Sequence, residues 1–140
     1  MTNRILLTIF LLSLFSASSA QTASRTFAKS FNTENLGNIA VDLPGDIEFK
    51  AWENSYIKIE IGITIASNNG AILNELANVG RYNLVAKSEG DKLVITAPNL
   101  QKQIRIKGEE LHEEFTYTVF VPKDLNIELP QVTAATELKK

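Results

Sequence analysis

Along most of this chain, apolar residues recur at every second position. The clearest run is "YIKIEIGITI" at 56–65, where Ile57, Ile59, Ile61, Ile63 and Ile65 alternate with Lys58, Glu60, Gly62 and Thr64. A period of two places the isoleucines on one face of a strand and the polar set on the other, and β-branching favours the extended state. The same beat predicts an opening strand at Phe27 and Phe31, with Lys29 out of character between them. Further strands are expected at 39–43, 47–51, 84–86, 93–95, 104–106, 115–121 and 125–129, separated by the turn clusters "PGD", "ENS", "SEGD", "KGEE" and "PKD". One stretch breaks the beat. In "GAILNELANVG" (70–80), Ile72, Leu73, Leu76 and Val79 follow helical spacing, with Asn68 or Asn69 as the start cap and Gly80 as the end. The pattern predicts an all-β domain of antiparallel hairpins, leading into a β-solenoid-like or sandwich arrangement, with one short helix near 70–79.

Two stretches, "VDLPGDIEF" (41–49) and "VFVPKDLNI" (119–127), repeat one phrase. Read as hairpins with three-residue loops at 44–46 and 122–124, they pair Leu43 with Ile47 and Val41 with Phe49, then Val121 with Leu125 and Val119 with Ile127. An odd loop length keeps the apolar phases of both arms on one side. Pro fixes φ, and Gly45 supplies a positive φ that Lys123 does not, so the two turns are expected to differ in type. A solenoid corner, with the second arm stacked on a neighbouring coil, fits the same pattern. A hairpin through "ENS" pairs Phe49 with Ile59 but sets Lys50 opposite Lys58 and Glu48 opposite Glu60. That repulsion costs a few tenths to ~1 kcal/mol per pair. Burial at ~1.5–3 kcal/mol per isoleucine outweighs it.

The first residues need separate treatment. Arg4 is the sole charge before Arg25, residues 5–15 are apolar apart from Thr8 and Ser13, and Ser18 and Ala20 stand at −3 and −1 of a cleavage site. This reads as a signal peptide over 1–20; a spanning helix needs roughly 20 apolar residues, about twice this run. A single β domain over 21–130 and a polar tail over 131–140 complete the expected organisation. The chain has no Cys, which removes disulfides and a lipoprotein anchor. With 14 basic against 16 acidic residues, it lacks the positive balance that phosphate neutralisation requires, so no nucleic-acid partner is expected.

Candidate chemistry is sparse. His112 lies in "EELHEE" (109–114), and Glu109-x-x-His112 is half of a di-iron helical unit; the second unit is missing, and no HExxH occurs. The plain reading is an acidic strand end facing Lys102, Arg105 and Lys107. There is no G-x-S-x-G and no Cys for nucleophilic catalysis. The acidic pairs Glu89 with Asp91 and Asp42 with Glu48 are the candidates for sugar chemistry, and Glu89 and Asp91 are ordinary turn residues. No catalytic, metal or cofactor site is expected. Trp52 and Tyr56 fall on the polar phase of their strands. They are the candidate binding residues, as a stacking platform for a sugar or protein, set against a plain role shielding a hairpin end.

Three stretches carry a resemblance: "FNTENLGNIAVDLPGDIEFKAWENSYIKIEI", "EGDKLVITAP" and "GEELHEEFTYTVFVPKDLNIEL". Over about residues 26–130 they resemble the start of the bacterial putative adhesin family, including head GIN and auto-transporter-adhesin-like proteins. The resemblance implies an exported, β-solenoid-like fold without known catalysis, and the "QT" after the leader is similar to exported proteins of Bacteroidetes. Family members continue past this point with Gly-rich rungs, so the chain is expected to be a short member or a truncated one. The expected function is a non-catalytic, adhesin-like interaction module of the cell envelope, periplasmic or secreted. It would meet another protein or a surface glycan through an exposed face or an edge strand, with no membrane span once the leader is removed. The alternatives are an envelope enzyme acting on polysaccharide and a fragment of a longer β-solenoid protein.

Overall fold

The structure is a computed structural model and describes residues 21–129. The leader expected over 1–20 and the tail over 131–140 lie outside the described residues. The strands are β1 (Ala23–Asn32), β2 (Asn38–Asp42), β3 (Asp46–Trp52), β4 (Tyr56–Ile65), β5 (Val85–Glu89), β6 (Lys92–Thr96), β7 (Arg105–Ile106), β8 (Glu109–Glu110), β9 (Glu113–Pro122) and β10 (Asn126–Glu128). Among the described residues, one α-helix, α1 (Ala71–Asn78), joins β4 to β5. Two four-stranded sheets, ordered β1-β4-β9-β3 and β10-β2-β6-β5, share one core, and β7 with β8 forms a separate ribbon. The fold is all-β with one short helix.

The alternation predicts which side chains are buried. Ile57, Ile59, Ile61, Ile63 and Ile65 are all buried, and Tyr117, Val119 and Val121 of β9 join them from the adjacent strand. Ile39 and Val41 of β2 and Leu93 and Ile95 of β6 supply the opposing layer. Leu73 of α1 is also fully buried. The helix has no side-chain cap bond at Gly70; instead Asn69 Oδ1 accepts the Ala71 N–H at 3.2 Å. It ends at Gly80, at φ 80°, where the Arg81 N–H reaches back to Leu76 O at 2.9 Å. Val79 leaves the expected stripe and is 76% exposed. Of the last run, Leu125 packs on the core, while Ile127 and Leu129 are exposed.

The strand partners differ from the hairpin expectation. β2 and β3 lie in different sheets, as do β9 and β10, so each copy of the repeated phrase is a corner between layers. The corners stack as parallel pairs: β3 runs beside β9 with Ile47 opposite Tyr117 and Phe49 opposite Val119, and β10 runs beside β2 with Ile127 opposite Ile39. Apolar phase is thus kept by turning both arms toward a shared core rather than by folding them back on each other. The corners do differ in type. Gly45 adopts φ 110°, and a Cβ there would lie 2.4 Å from Phe115 O, whereas Lys123 has no positive φ.

The "ENS" hairpin is also corrected. β9 inserts between β3 and β4, parallel to one and antiparallel to the other. Phe120 thereby stands between Lys50 and Lys58, and Thr118 between Glu48 and Glu60, which removes the like-charge contacts of a direct hairpin. The β5–β6 turn is a true hairpin, with Glu89 opposite Lys92 and Gly90 at φ 64°. Among the described residues, no helix is long and apolar enough to cross a membrane.

Candidate functional site

Even-numbered side chains of β3, β4 and β9 form the outer face of the first sheet, because the odd-numbered ones are spent on the core. At one end of this face, three aromatic residues converge. Trp52 and Tyr56 meet edge-on with ring centroids 4.8 Å apart, and Trp52 lies 5.3 Å from Phe120. The Trp52 indole N–H donates to Tyr56 O at 2.8 Å, which fixes the indole plane across the β3–β4 turn. Tyr56 is 40% exposed, and Trp52 and Phe120 are half-buried. The predicted pair is thus brought together on the solvent side, with no segment covering it among the described residues.

Charged groups rim the patch in opposite-sign pairs. Lys58 Nζ lies 5.2 Å from the Phe120 ring centroid and bonds Glu60 at 2.6 Å. Lys50 approaches Glu48 at 3.5 Å, and Lys123 pairs with Glu53. Next along the face come Thr118, Thr116 and Gly62; a Cβ at Gly62 would lie 2.5 Å from Thr116 Oγ1. The surface is therefore an aromatic end, rimmed by paired charges, joined to a polar sheet face of small residues that also carries Asp46 and Glu114. Phe120 was missed by sequence reasoning, although a Phe on the polar phase of β9 is the signal that identifies it.

The other groups singled out from the sequence fall elsewhere. His112 is exposed and lines an open cleft of about 600 Å³ with Ser67, Asn68, Glu109 and Glu110. Arg105 stands opposite Glu110 in the β7–β8 ribbon, the ordinary cross-strand charge arrangement. Glu89 and Asp91 sit at the β5–β6 turn, where Asp91 accepts from Asn38 Nδ2 at 2.9 Å. Among the described residues, no cluster of His, Cys, Asp and Glu suits a metal ion.

A buried polar cluster went unforeseen. Arg81 and Glu113 form an ion pair at 2.6 Å with side chains only 7% and 4% exposed. Arg81 also donates to Asn99 O at 2.6 Å and to Lys102 O, and the Tyr82 hydroxyl donates to Glu113 at 2.8 Å. The cluster ties the end of α1 and the 98–101 turn to the head of β9. Burial, followed by the hydrogen bond to Glu113, pushes the Tyr82 hydroxyl well above its ordinary pKa. Tyr117 is pushed up to about 12 by burial and then by the Glu113 charge. With every Glu113 oxygen engaged, the cluster is built as a brace.

No family model matches the chain. A stretch of 66 residues, 47% of this chain, is 30% identical to a tRNA/tmRNA (uracil-C(5))-methyltransferase of Campylobacter jejuni, but covers only 18% of that enzyme. Among solved structures, the chain is similar to a "putative adhesin" from Bacteroides fragilis (TM-score 0.40, 12% identity), covering 75% of this chain and 39% of that one. It is also similar to a "putative cell adhesion protein" from Clostridium sporogenes (TM-score 0.42, 10% identity; 76% and 45%). A "putative lipid binding protein" from Parabacteroides distasonis matches at TM-score 0.32 and 16% identity, over 75% and 37%. The chain spans less than half the length of each of these proteins. Matches this remote and partial carry no activity across to this chain.

Proposed function

We propose that the protein is an exported, non-catalytic interaction module of the bacterial cell envelope. Its leader over 1–20 is removed after Ala20, and the domain binds a surface glycan through the outer face of its first sheet. The observation that carries this reading is the Trp52–Tyr56–Phe120 patch, partly open to solvent at the end of a polar sheet face. Sugar rings present apolar C–H faces bordered by hydroxyls. An aromatic end provides the stacking surface, and neighbouring Thr and paired charged groups provide hydrogen bonds. The opposite-sign pairing of the rim lysines favours a neutral glycan over a polyanion. Adhesin-like names among the similar structures agree with the reading without supporting it independently.

The rival, an envelope enzyme acting on polysaccharide, needs two carboxylates flanking one glycosidic bond. In the 600 Å³ cleft, both glutamates come from the two-residue strand β8, and the facing wall offers Ser67, Asn68 and Asn69. That arrangement lacks the opposed pair.

Trp52 is the sole tryptophan, so its emission reports on the patch directly. Titrating the purified protein with neutral hexose oligosaccharides should shift or quench that emission. Tyr56→Ala should weaken binding by about tenfold, the loss of one stacking partner worth ~1 kcal/mol or more. An unchanged spectrum across neutral and acidic oligosaccharides would defeat the glycan reading, and binding that survives both Trp52→Ala and Tyr56→Ala by calorimetry would move the site elsewhere.

A further inference from the structure

The two edge strands of the first sheet are built on opposite plans. β1 places Arg25 opposite Ile63 and Lys29 opposite Ile59, so both charges share the phase of the buried isoleucines. Charge on the core side of an edge strand discourages another strand from adding there. This accounts for the odd Lys29 between Phe27 and Phe31. β3 has no such guard. Its core-side positions are Ile47, Phe49 and Ala51, it contains no proline or bulge, and it pairs with β9 through all seven residues. Among the described residues, no strand occupies its second edge. Seven residues of regular, apolar-backed ladder stand open where the other edge is defended.

The charge order along β3 indicates what fits there. Reading outward from Phe49, Glu48 on one side is balanced by Lys50 on the other, with Ile47 and Ala51 beyond them. We propose that β3 is a homodimer seam, in which two copies of the chain pair antiparallel about a two-fold axis at Phe49. In this register Phe49 faces Phe49 of the second copy and Ile47 faces its Ala51. Glu48 and Lys50 each face the opposite charge, twice per dimer. A parallel, in-register pairing would instead set Glu48 beside Glu48 and Lys50 beside Lys50, so the charge pattern selects the antiparallel form. In the single chain these two side chains pair with each other at 3.5 Å among the described residues, with 49% and 65% of their surfaces exposed.

The dimer would form one continuous eight-stranded sheet. Its aromatic patches would share one outer face, about 20 Å apart along the strand direction at ~3.3 Å per residue.

The test is sedimentation velocity on the purified protein over about 1–100 µM, a range that brackets micromolar affinities. It includes Glu48→Lys, Lys50→Glu and the double swap, with circular dichroism confirming that each exposed-site variant is folded. A reversible wild-type dimer is expected. Each single reversal puts two like-charge pairs across the seam and should raise Kd about tenfold or more, while the double swap restores it. Mixing the two single variants should give a heterodimer tighter than either homodimer. A wild-type monomer throughout, or single reversals that dimerise as tightly as wild type, would overturn the seam.

Discussion

Glu113→Ala is the perturbation that probes the fold most directly. Glu113 heads β9, the strand that lies between β3 and β4, and its carboxylate takes the Arg81 guanidinium at 2.6 Å and the Tyr82 hydroxyl at 2.8 Å. Removing it leaves a guanidinium 7% exposed, held only by the carbonyls of Asn99 and Lys102, and leaves a buried phenol without its acceptor. Breaking one side of a buried ion pair costs about 3–5 kcal/mol, and an orphaned buried hydroxyl ~1–3 kcal/mol. The two losses share one carboxylate and so do not add. About 4 kcal/mol is expected, a large part of the ~5–15 kcal/mol typical of a domain. Urea unfolding followed by Trp52 emission and far-UV circular dichroism measures it. Replacing both partners with apolar residues, Arg81→Met with Glu113→Leu, should recover most of the loss, because neither charge is then stranded. A Glu113→Ala variant within ~1 kcal/mol of wild type would behave like a screened surface pair, and would refute the buried brace.

Other expectations follow from single groups. The Tyr117 hydroxyl is buried without a partner among the described residues, so Tyr117→Phe should stabilise the protein by about 1 kcal/mol in urea titrations; a loss of similar size would mean the hydroxyl is satisfied. The unfolded chain releases tyrosine protons near pH 10, whereas folded Tyr117 holds its proton to about 12 and Tyr82 is also raised. The stability they contribute is therefore intact below about pH 10 and lost as pH rises toward 12, and the urea midpoint should fall between about pH 10 and 12, less steeply in a Tyr82→Phe/Tyr117→Phe variant. Gly45→Ala combines φ 110° with a Cβ 2.4 Å from Phe115 O, and should cost about 2 kcal/mol or more. Lys123→Ala, at the matching place in the other corner, should stay within ~0.5 kcal/mol in the same titrations, the range of ordinary surface changes.

Sidedness was legible in the sequence because it is local. A period of two commits Ile57 through Ile65 to one face whatever strand lies beside them, and the same logic placed β2, β6 and β9 and set α1 between its breakers. The exposure of Trp52 and Tyr56 followed from that phase, and Phe120 was readable by the same rule. Partnership was not legible, because strand pairing is a competition among distant segments with similar apolar faces. The repeated phrase reads equally well as a hairpin or a corner; only the available core decided that β9 would insert beside β3 and turn both Pro-centred bends into crossings between sheets. The like charges of Lys50 and Lys58 hinted at a missing strand between them. The Arg81–Glu113 brace left no trace, since two charges 32 positions apart become a pair only when the fold removes water from both. The chain by itself fixed which face of each strand seeks the interior; the tertiary structure decided which strands share it, since burial free energy depends on all the segments that close the core together.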